Sequence, residues 1–329
     1  MANIPILGWY NQQNVGDEAF KDVFLSVVRE VDPSVTVSFH TQRLPSPLPE
    51  KVILGGGDVI RPFYLEKVPS EVKVFPLGVG LGYESEIELL EKARVPFALF
   101  RNVLDAELAN SKGINAEYCP DLTYFLDEPE PFPIALTEGK TLGVLLSDEI
   151  SPTFERKENR EYLYYEYFKW ELASILDYLG TFYNICFVAF STLDSINDHK
   201  VSLDIYRRMT ARDRVSFVTQ HLSMAQALWL IKQFDLVISM KFHGIIFAVN
   251  QGVPFINIAE TRKTQRFCVE NDLAQLSIPR YSLERERFLE VVKNAEAHET
   301  RQAIQSTSIR LRELTRQRLP EAIARFMAT

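Results

Sequence analysis

The segment Leu236–Ile258 has the sequence LVISMKFHGIIFAVNQGVPFINI. The apolar run Leu236–Ser239 predicts a buried strand, Phe242–Gln251 predicts an apolar helix, and Phe255–Ile258 predicts a second strand. Gly252 and Pro254 lie between the helix and the second strand, where they favour a turn. A strand, a helix and a strand in this order form a βαβ unit, which indicates a parallel sheet.

The same alternation recurs along the rest of the chain. In the first half, the predicted strands are Ile4–Gly8, Lys51–Leu54, Val72–Leu77 and Phe97–Phe100, and the predicted helices are Glu18–Val31 and Asp105–Ser111. In the second half, the strands are Leu142–Leu146, Ile185–Phe190 and Val215–Thr219, and the helices are Glu161–Leu179, Met224–Gln233 and Gln302–Met327. Glycines are expected to end the strands at Leu54 and Leu77. Strands that are apolar on both faces are typical of parallel sheets covered by helices.

One proline-rich segment divides the two halves. Asp127–Glu138 has the sequence DEPEPFPIALTE, whose prolines exclude a regular helix or a central strand. We therefore expect an N-terminal domain at 1–126, a linker at 127–140, a C-terminal domain at 141–300 and a final helix at 301–329. The predicted fold is α/β, with two Rossmann-like domains facing a central cleft and the final helix packing back on the N-terminal domain. A single larger doubly wound sheet is the alternative.

Composition excludes several classes of protein. The chain has 329 residues, with 36 Lys and Arg against 44 Asp and Glu, which gives a net charge of −8. This acidic balance argues against a nucleic-acid partner, since general nucleic-acid binding needs a basic surface. The three cysteines, Cys119, Cys186 and Cys268, are far apart, so we expect reduced thiols and neither a disulfide framework nor a zinc ribbon. No signal peptide or membrane-spanning segment is predicted, and we expect a cytoplasmic protein.

The turn at Ser239–Gly244 is the strongest candidate site. It joins a strand to a helix, and it brings Lys241 and His243 to the helix N-terminus, where backbone N–H groups favour anions. Lys263 follows the next strand, and Arg101 follows the strand Phe97–Phe100. These cations are of the type that binds a small anion carrying phosphate or carboxylate.

Two further candidates lie in the N-terminal half. Asp17, in the segment Asn14–Glu18, is expected at a helix start, where it either caps the helix or accepts a hydrogen bond from a substrate hydroxyl. Gly55, Gly56 and Gly57 follow an apolar strand and allow either a close ligand or a tight turn. Gly78–Gly82 has the spacing GxGxG, which differs from the GxGxxG of dinucleotide sites.

Other patterns are less specific. Asp194, Asp198 and His199 are predicted to lie in a polar loop, and we expect no metal site there. The aromatic residues of the helix Glu161–Leu179 indicate either core packing or a surface that binds an acceptor or a second copy; they are Tyr162, Tyr164, Tyr165, Tyr167 and Trp170.

Taken together, these motifs resemble the polysaccharide pyruvyl transferase family. The matching segments are Asn14–Ala19 (NVGDEA), Val52–Asp58 (VILGGGD), Gly78–Gly82 (GVGLG), Arg101 in RNxxD, Pro120-Asp121, Ser239–Ala248 (SMKFHGIIFA), Gly252–Pro254 and Lys263. Their succession covers most of the chain. In the family the last long motif commonly has Arg and Leu where this chain has Lys241 and Phe242, and a lysine lacks the planar fork of an arginine.

The resemblance implies a GT-B-like fold and transfer of enolpyruvate from phosphoenolpyruvate onto two hydroxyls of a sugar, which forms a pyruvate ketal and releases phosphate. It implies a saccharide acceptor, which can be lipid-linked at a membrane surface, and no cofactor besides the donor; an oligomer is left open. The roles it implies are as follows: catalytic, His243 and Asp17; donor-binding, Lys241, Arg101, Lys263, Ser239, Phe242 and Gly244; acceptor-binding, Asn14, Gly16, Gly55, Gly56, Gly57 and Gly80.

Two alternatives remain at this point. A glycosyltransferase that uses a nucleotide sugar would share the fold, since fold does not determine function. A non-catalytic sugar-binding relative would bind an acceptor without releasing phosphate from any donor.

Overall fold

The computed structural model describes residues 3–41, 44–134, 136–147, 159–259 and 261–329. The chain divides into two units. One contains Met1–Gln12, Gly16–Asp127 and Ile309–Thr329, and the other contains Gln13–Val15 and Glu128–Ser308. Each unit is built on its own sheet of parallel strands, so the alternative of one larger sheet is wrong.

The first sheet has the strand order β2-β1-β3-β4-β5-β6, with six parallel strands among the described residues. The strands are β1 (Asn3–Leu7), β2 (Thr36–His40), β3 (Lys51–Gly57), β4 (Lys73–Val79), β5 (Ala98–Phe100) and β6 (Ala116–Tyr118). The helices are α1 (Val15–Val31), α2 (Pro62–Leu65), α3 (Ile87–Glu91) and α4 (Val103–Ser111). The sheet is apolar on both faces: in β3 and β4, every residue after the first is buried.

The second sheet has the order β11-β8-β7-β12-β13-β14, again with parallel pairing. Its strands are β7 (Thr141–Leu145), β8 (Asn184–Val188), β11 (Val215–Val218), β12 (Leu236–Ser239), β13 (Phe255–Ala259) and β14 (Ser277–Pro279). A short antiparallel hairpin, β9 (Thr192–Leu193) and β10 (Ile196–Asn197), lies outside it. The helices are α5 (Asn159–Leu179), α6 (Asp198–Arg208), α7 (Met224–Lys232), α8 (Phe242–Asn250), α9 (Arg262–Glu270), α10 (Arg285–Glu296) and α11 (His298–Ala328).

The last part of α11 packs on the first unit, as the sequence predicts. The Lys51 ammonium donates hydrogen bonds to the carbonyl oxygens of Phe326 and Met327, at 2.7 and 3.1 Å. The rings of Phe75 and Phe326 meet edge to face, with centroids 4.9 Å apart. A lysine at the end of a helix also stabilises the partial negative charge of its last carbonyl groups.

Two predicted strand ends are wrong. β3 continues through Gly55, Gly56 and Gly57, and β4 continues past Gly78 to Val79. The glycines do not end the strands because they make room for core side chains: a Cβ atom at Gly56 would lie 2.3 Å from the ring of Phe20. The prediction of a polar loop at Asp198 and His199 is also wrong, since both residues begin α6.

In the described part of the chain, no helix is both long enough and apolar enough to cross a membrane.

Candidate functional site

The second sheet has a topological switch point between β7 and β12. From β7 the chain first adds β8 on one side, and later returns to add β12 on the other side. Ligands of open α/β sheets bind outside the carboxyl ends of the strands at such a point. The turn that follows β12 contains Lys241, and α8 begins at the next residue, Phe242. The candidate turn Ser239–Gly244 therefore occupies the position that this fold class uses for ligands.

Ser239 determines the local shape of this turn. Its hydroxyl accepts a hydrogen bond from the backbone N–H of Lys241 at 3.0 Å and donates one to the carbonyl oxygen of Lys241 at 2.8 Å. The side chain is fully buried. A Cβ atom at Gly244 would lie 2.3 Å from the Ser239 Oγ, so the close approach of helix and strand requires a glycine there.

The side chain of Lys241 forms an ion pair with a carboxylate that the sequence did not identify as its partner. Its ammonium lies 3.3 Å from Asp198, the first residue of α6. Lys241 is 8% exposed and Asp198 is completely buried. The same carboxylate accepts the backbone N–H of Ser191 at 2.7 Å. A buried ion pair of this kind fixes the position of the ammonium group next to the N-terminus of α8.

The remaining candidates of the second unit lie around the start of α8. His243 is partly exposed, and its ring packs against Phe242 and Phe247, with centroids 5.4 and 6.0 Å away. The ammonium of Lys263, on α9, lies 6.0 Å from the centre of the Phe242 ring. The structure thus groups six of the predicted site residues in this unit: Ser239, Lys241, Phe242, His243, Gly244 and Lys263.

The first sheet has a corresponding switch point between β1 and β3, and polar residues gather at its carboxyl edge. Asp17 lies in the first turn of α1, close to Gly57: a Cβ atom at Gly57 would lie 3.2 Å from the Asp17 carboxylate. Gly80 follows β4, and its N–H donates to the Gly57 carbonyl at 3.1 Å. A Cβ atom at Gly80 would lie 3.3 Å from the Asp58 carboxylate. It would lie even closer, at 2.8 Å, to the Nε of Arg101, so these two glycines make room for polar side chains that pack on the backbone.

Arg101 belongs to this first cluster and is buried in it. Its guanidinium forms an ion pair with Asp58 and lies 3.4 Å from Asp121, and its side chain is 2% exposed. Burial opposes the charge, but Asp58, Asp121 and Asp17 together raise the pKa of Arg101 above its ordinary value. Lys241 and Lys263 belong to the other unit, so a shared donor role of these three cations stays a prediction.

The family of the chain is shown by its sequence. A model of the family described as polysaccharide pyruvyl transferase matches residues 14–262, about three quarters of the chain. The chain belongs to this family. Its membership identifies it as a transferase. No curated protein matches the chain by sequence.

Solved structures show that this family member has the GT-B-like fold. MnaA from S. aureus, solved with UDP, is 9% identical, with 100% of this chain and 97% of that chain covered and a TM-score of 0.63. The UDP-GlcNAc 2-epimerase of Neisseria meningitidis is 12% identical, with 95% and 99% covered and a TM-score of 0.58. UGT73P12 of Glycyrrhiza uralensis is 8% identical, with 100% and 96% covered and a TM-score of 0.56. Identities this low show the fold alone.

Three of the predicted acceptor residues of this transferase have structural contacts, and a fourth is buried in a helix. Gly55 accepts a hydrogen bond on its carbonyl oxygen from the Tyr10 hydroxyl, at 2.7 Å, and Gly56 faces Phe20. Gly16 is buried in α1. Asn14 belongs to the second unit, where it forms an antiparallel bridge with Ser191. Their roles toward an acceptor stay predictions.

The aromatic cluster of α5 is split between core and surface. Tyr165 is buried, whereas Tyr164, Tyr167 and Trp170 are more than half exposed. The side chain of Tyr162 lies outside the described residues. Within the described ranges, no three His, Cys, Asp or Glu side chains are grouped so that they would hold a metal ion.

Proposed function

We propose that this protein transfers the enolpyruvyl group of phosphoenolpyruvate to two hydroxyls of one sugar in a polysaccharide or its precursor. The product is a pyruvate ketal, and phosphate is released. The observation that carries the proposal is the buried Lys241 at the residue before α8, beside the switch point of the second sheet. Membership of the pyruvyl transferase family supports it.

The donor is a small polyanion, and the start of α8 suits such a ligand. The first N–H groups of a helix lack partners within the helix and carry a partial positive charge. Lys241 adds a cation there, and Lys263 adds a second one, 6.0 Å from the centre of the Phe242 ring. Ser239 and Gly244 have an indirect role, since they shape the turn that carries Lys241.

The reaction requires proton transfers and the formation of two C–O bonds. The methylene carbon of the donor takes up a proton, and a sugar hydroxyl adds to the neighbouring carbon while it loses its own proton to a base. A second hydroxyl then displaces phosphate, and its proton leaves with the products. We assign His243 the acid–base or phosphate-contact role, and Asp17 the role of base toward an acceptor hydroxyl. No redox step occurs, and we propose no cofactor besides the donor.

The test is titration calorimetry with phosphoenolpyruvate. The site variant is Lys241→Met/Asp198→Asn, which removes both members of the buried pair and leaves neither charge alone. Lys263→Ala is a second, partly exposed site variant, and Lys232→Ala, on the exposed end of α7, is the matched control. We expect binding by the wild type and the control, loss of binding in the double variant and weaker binding in Lys263→Ala.

Two results would overturn the proposal. One is a folded wild type that does not bind phosphoenolpyruvate either alone or with a panel of neutral methyl glycosides. The other is tight binding of a nucleoside diphosphate that Lys241→Met/Asp198→Asn abolishes, which would favour a nucleotide-sugar glycosyltransferase. Thermal unfolding of every variant provides the check that it is folded.

A further inference from the structure

A row of exposed aromatic rings lies on one face of α5. Tyr164, Tyr167 and Trp170 are each more than half exposed, and they follow one another at intervals of three residues, which makes them neighbours on the helix surface. Tyr281, in the short 3-10 helix Arg280–Ser282, adds a fourth ring, which packs edge to face against Tyr164 with centroids 5.9 Å apart. These four residues form the α5 surface. Single exposed aromatic residues are ordinary, whereas a contiguous exposed patch marks a site of interaction.

Arginine side chains fix two of these rings in position. The guanidinium of Arg208 lies 5.4 Å from the centre of the Trp170 ring, and Arg208 is itself held by ion pairs with two carboxylates. The guanidinium of the buried Arg280 lies 4.6 Å from the centre of the Tyr281 ring and donates a hydrogen bond of 2.5 Å to its hydroxyl. A ring that is exposed but already fixed loses little conformational freedom when a ligand covers it, so the entropic cost of binding is small.

The α5 surface is too small for a stable contact with a second copy of the chain. Its four residues are between 54% and 61% exposed. Aromatic side chains of about 150–250 Å² each would then offer about 350–600 Å² in total. A stable interface buries about 800 Å² on each partner. The aliphatic residues of α5 that follow Tyr164 are buried and add nothing to this area; they are Leu172, Ala173, Ile175, Leu176 and Leu179.

The charges next to the α5 surface argue against a nucleic acid, although nucleic-acid bases also stack on aromatic rings. Arg208 and Lys169 both form ion pairs with the carboxylates of Glu166 and Asp204. These two cations are therefore engaged within the protein, and the whole chain has a net charge of −8. A nucleic acid needs cations that can reach its phosphates.

A chain of neutral sugar rings matches both the chemistry and the length of the α5 surface. The C–H groups on one side of a sugar ring pack well on the face of an aromatic ring, where its π electrons give a partial negative charge. Tyr164 and Trp170 are six residues apart, which is about 9 Å along the helix axis. This distance is longer than one sugar ring. The surface therefore suits a chain of two or more sugar residues.

We propose that the α5 surface is a docking site for the neutral sugar chain of a polysaccharide, separate from the residues that take part in the reaction. The proposal rests on the proposed function for the class of ligand, because an enzyme that modifies a polysaccharide meets extended sugar chains. It adds a non-catalytic site in the second unit. Because neighbouring sugars would contact neighbouring rings, affinity is expected to rise with the length of the chain.

The test compares Trp170→Ala with a matched control, Phe182→Ala. Phe182 is 58% exposed, against 57% for Trp170, and it lies in the same unit but outside the α5 surface. Both side chains are exposed, and alanine is a strong helix former at residue 170, so both variants are expected to fold. Thermal unfolding checks this. A third variant, Trp170→Phe, keeps an aromatic ring at the same position.

The probes are neutral gluco-, manno- and galacto-oligosaccharides, each as a series from the monosaccharide to the hexasaccharide. Titration calorimetry measures the affinity of every variant. Tryptophan fluorescence gives a local signal, because a sugar that stacks on Trp170 changes the surroundings of its indole ring. The other two tryptophans, Trp9 and Trp229, lie outside the α5 surface and remain in every variant.

We expect the wild type and Phe182→Ala to bind at least one of the three series, with an affinity that rises with chain length. Trp170→Ala is expected to bind the hexasaccharide about tenfold more weakly, the size of one lost stacking contact, and Trp170→Phe is expected to lie between the two. The change in tryptophan emission is expected in the wild type and not in Trp170→Phe. Phosphoenolpyruvate is expected to bind to Trp170→Ala as it does to the wild type.

Two results would overturn the inference directly: no oligosaccharide of the panel bound by the wild type, or unchanged affinity in Trp170→Ala. Two others would overturn it in favour of another occupant. Self-association of the wild type in sedimentation experiments that Trp170→Ala abolishes would indicate a second copy of the chain. Binding of a single-stranded RNA oligonucleotide that Trp170→Ala abolishes would indicate a nucleic acid.

These outcomes are distinct from a failure of the proposed function. If the oligosaccharides bind as expected but phosphoenolpyruvate does not, the docking site stands and the donor assignment fails. If phosphoenolpyruvate binds and no oligosaccharide does, the docking site alone fails.

Discussion

The ammonium of Lys241 lies 3.3 Å from both carboxylate oxygens of Asp198, a residue with no exposed surface. This pair connects the turn after β12 to the first residue of α6, although the two positions are 43 residues apart in the chain. The cation next to α8 is thus held by another element of the same unit. Its position depends on the fold of residues 191–198 as much as on its own turn.

Removing only one charge of the Lys241–Asp198 pair is expected to lower the free energy of unfolding. In Lys241→Met the Asp198 carboxylate stays buried without its lysine, and we expect a loss of about 3–5 kcal/mol in the free energy of unfolding. In Lys241→Met/Asp198→Asn no charge is left behind, so we expect most of that loss to be recovered. Urea unfolding of the two variants and the wild type measures both values. A double variant no more stable than Lys241→Met would contradict the role of the pair.

The contact between Ser239 and Gly244 leads to a second prediction. An added methyl group in Gly244→Ala would meet the Ser239 Oγ at 2.3 Å and a methyl group of Leu145 at 3.0 Å. We expect a destabilisation of about 1–3 kcal/mol from this overpacking. Ser239→Ala removes the hydroxyl that crowds this position, but leaves the Lys241 N–H without its acceptor.

A double-mutant cycle in urea separates these effects. Gly244→Ala is expected to cost less in the Ser239→Ala background than in the wild type, since the closest contact is absent there. Equal costs in both backgrounds would show that the Ser239 hydroxyl is not what excludes a side chain at residue 244.

The pattern of the sequence predicted many of the local elements but missed β2, β14, α6, α9 and α10, and it did not predict the contacts between elements. The unit β12–α8–β13 was predicted almost to the residue, because apolar runs and a glycine–proline turn mark its limits. The partner of Lys241 was not predictable, since Asp198 lies far away in sequence and its polar neighbours suggested a loop. For Arg101, the sequence predicted its place after a strand. It could not predict the pairing with Asp58, which depends on how strands β3 and β5 lie in the sheet.

The sequence also could not predict which side chain packs against the glycines of β3. This contact gives a third prediction. Gly56 and Gly113 both have a positive φ, 73° and 78°, but a Cβ atom would lie 2.3 Å from Phe20 at Gly56 and would meet nothing within 4 Å at Gly113. We expect Gly113→Ala to cost about 1–2 kcal/mol, from backbone strain alone. Gly56→Ala has the same strain and about 1–3 kcal/mol of overpacking in addition.

Thermal and urea unfolding of this matched pair test whether the second glycine of the triple is needed for packing. Similar stabilities of Gly56→Ala and Gly113→Ala would show that packing does not require a glycine at residue 56. Loss of glycoside binding in a Gly56→Ala variant that is as stable as Gly113→Ala would instead favour a direct role toward the acceptor.

The three thiols are expected to be unreactive in the folded protein. All are free and buried, and burial raises the pKa of Cys119 to about 12 and those of Cys186 and Cys268 to about 11. The thiolate is the reactive form, so at pH 8 only about one thiol in a thousand would be ionised even at a pKa of 11. We expect no alkylation by iodoacetamide over the time in which a peptide cysteine reacts fully, and three modified residues after unfolding in urea. Intact-mass spectrometry counts them. A native cysteine that reacts as fast as a peptide thiol would show that its site is open to solvent and that its pKa is not raised.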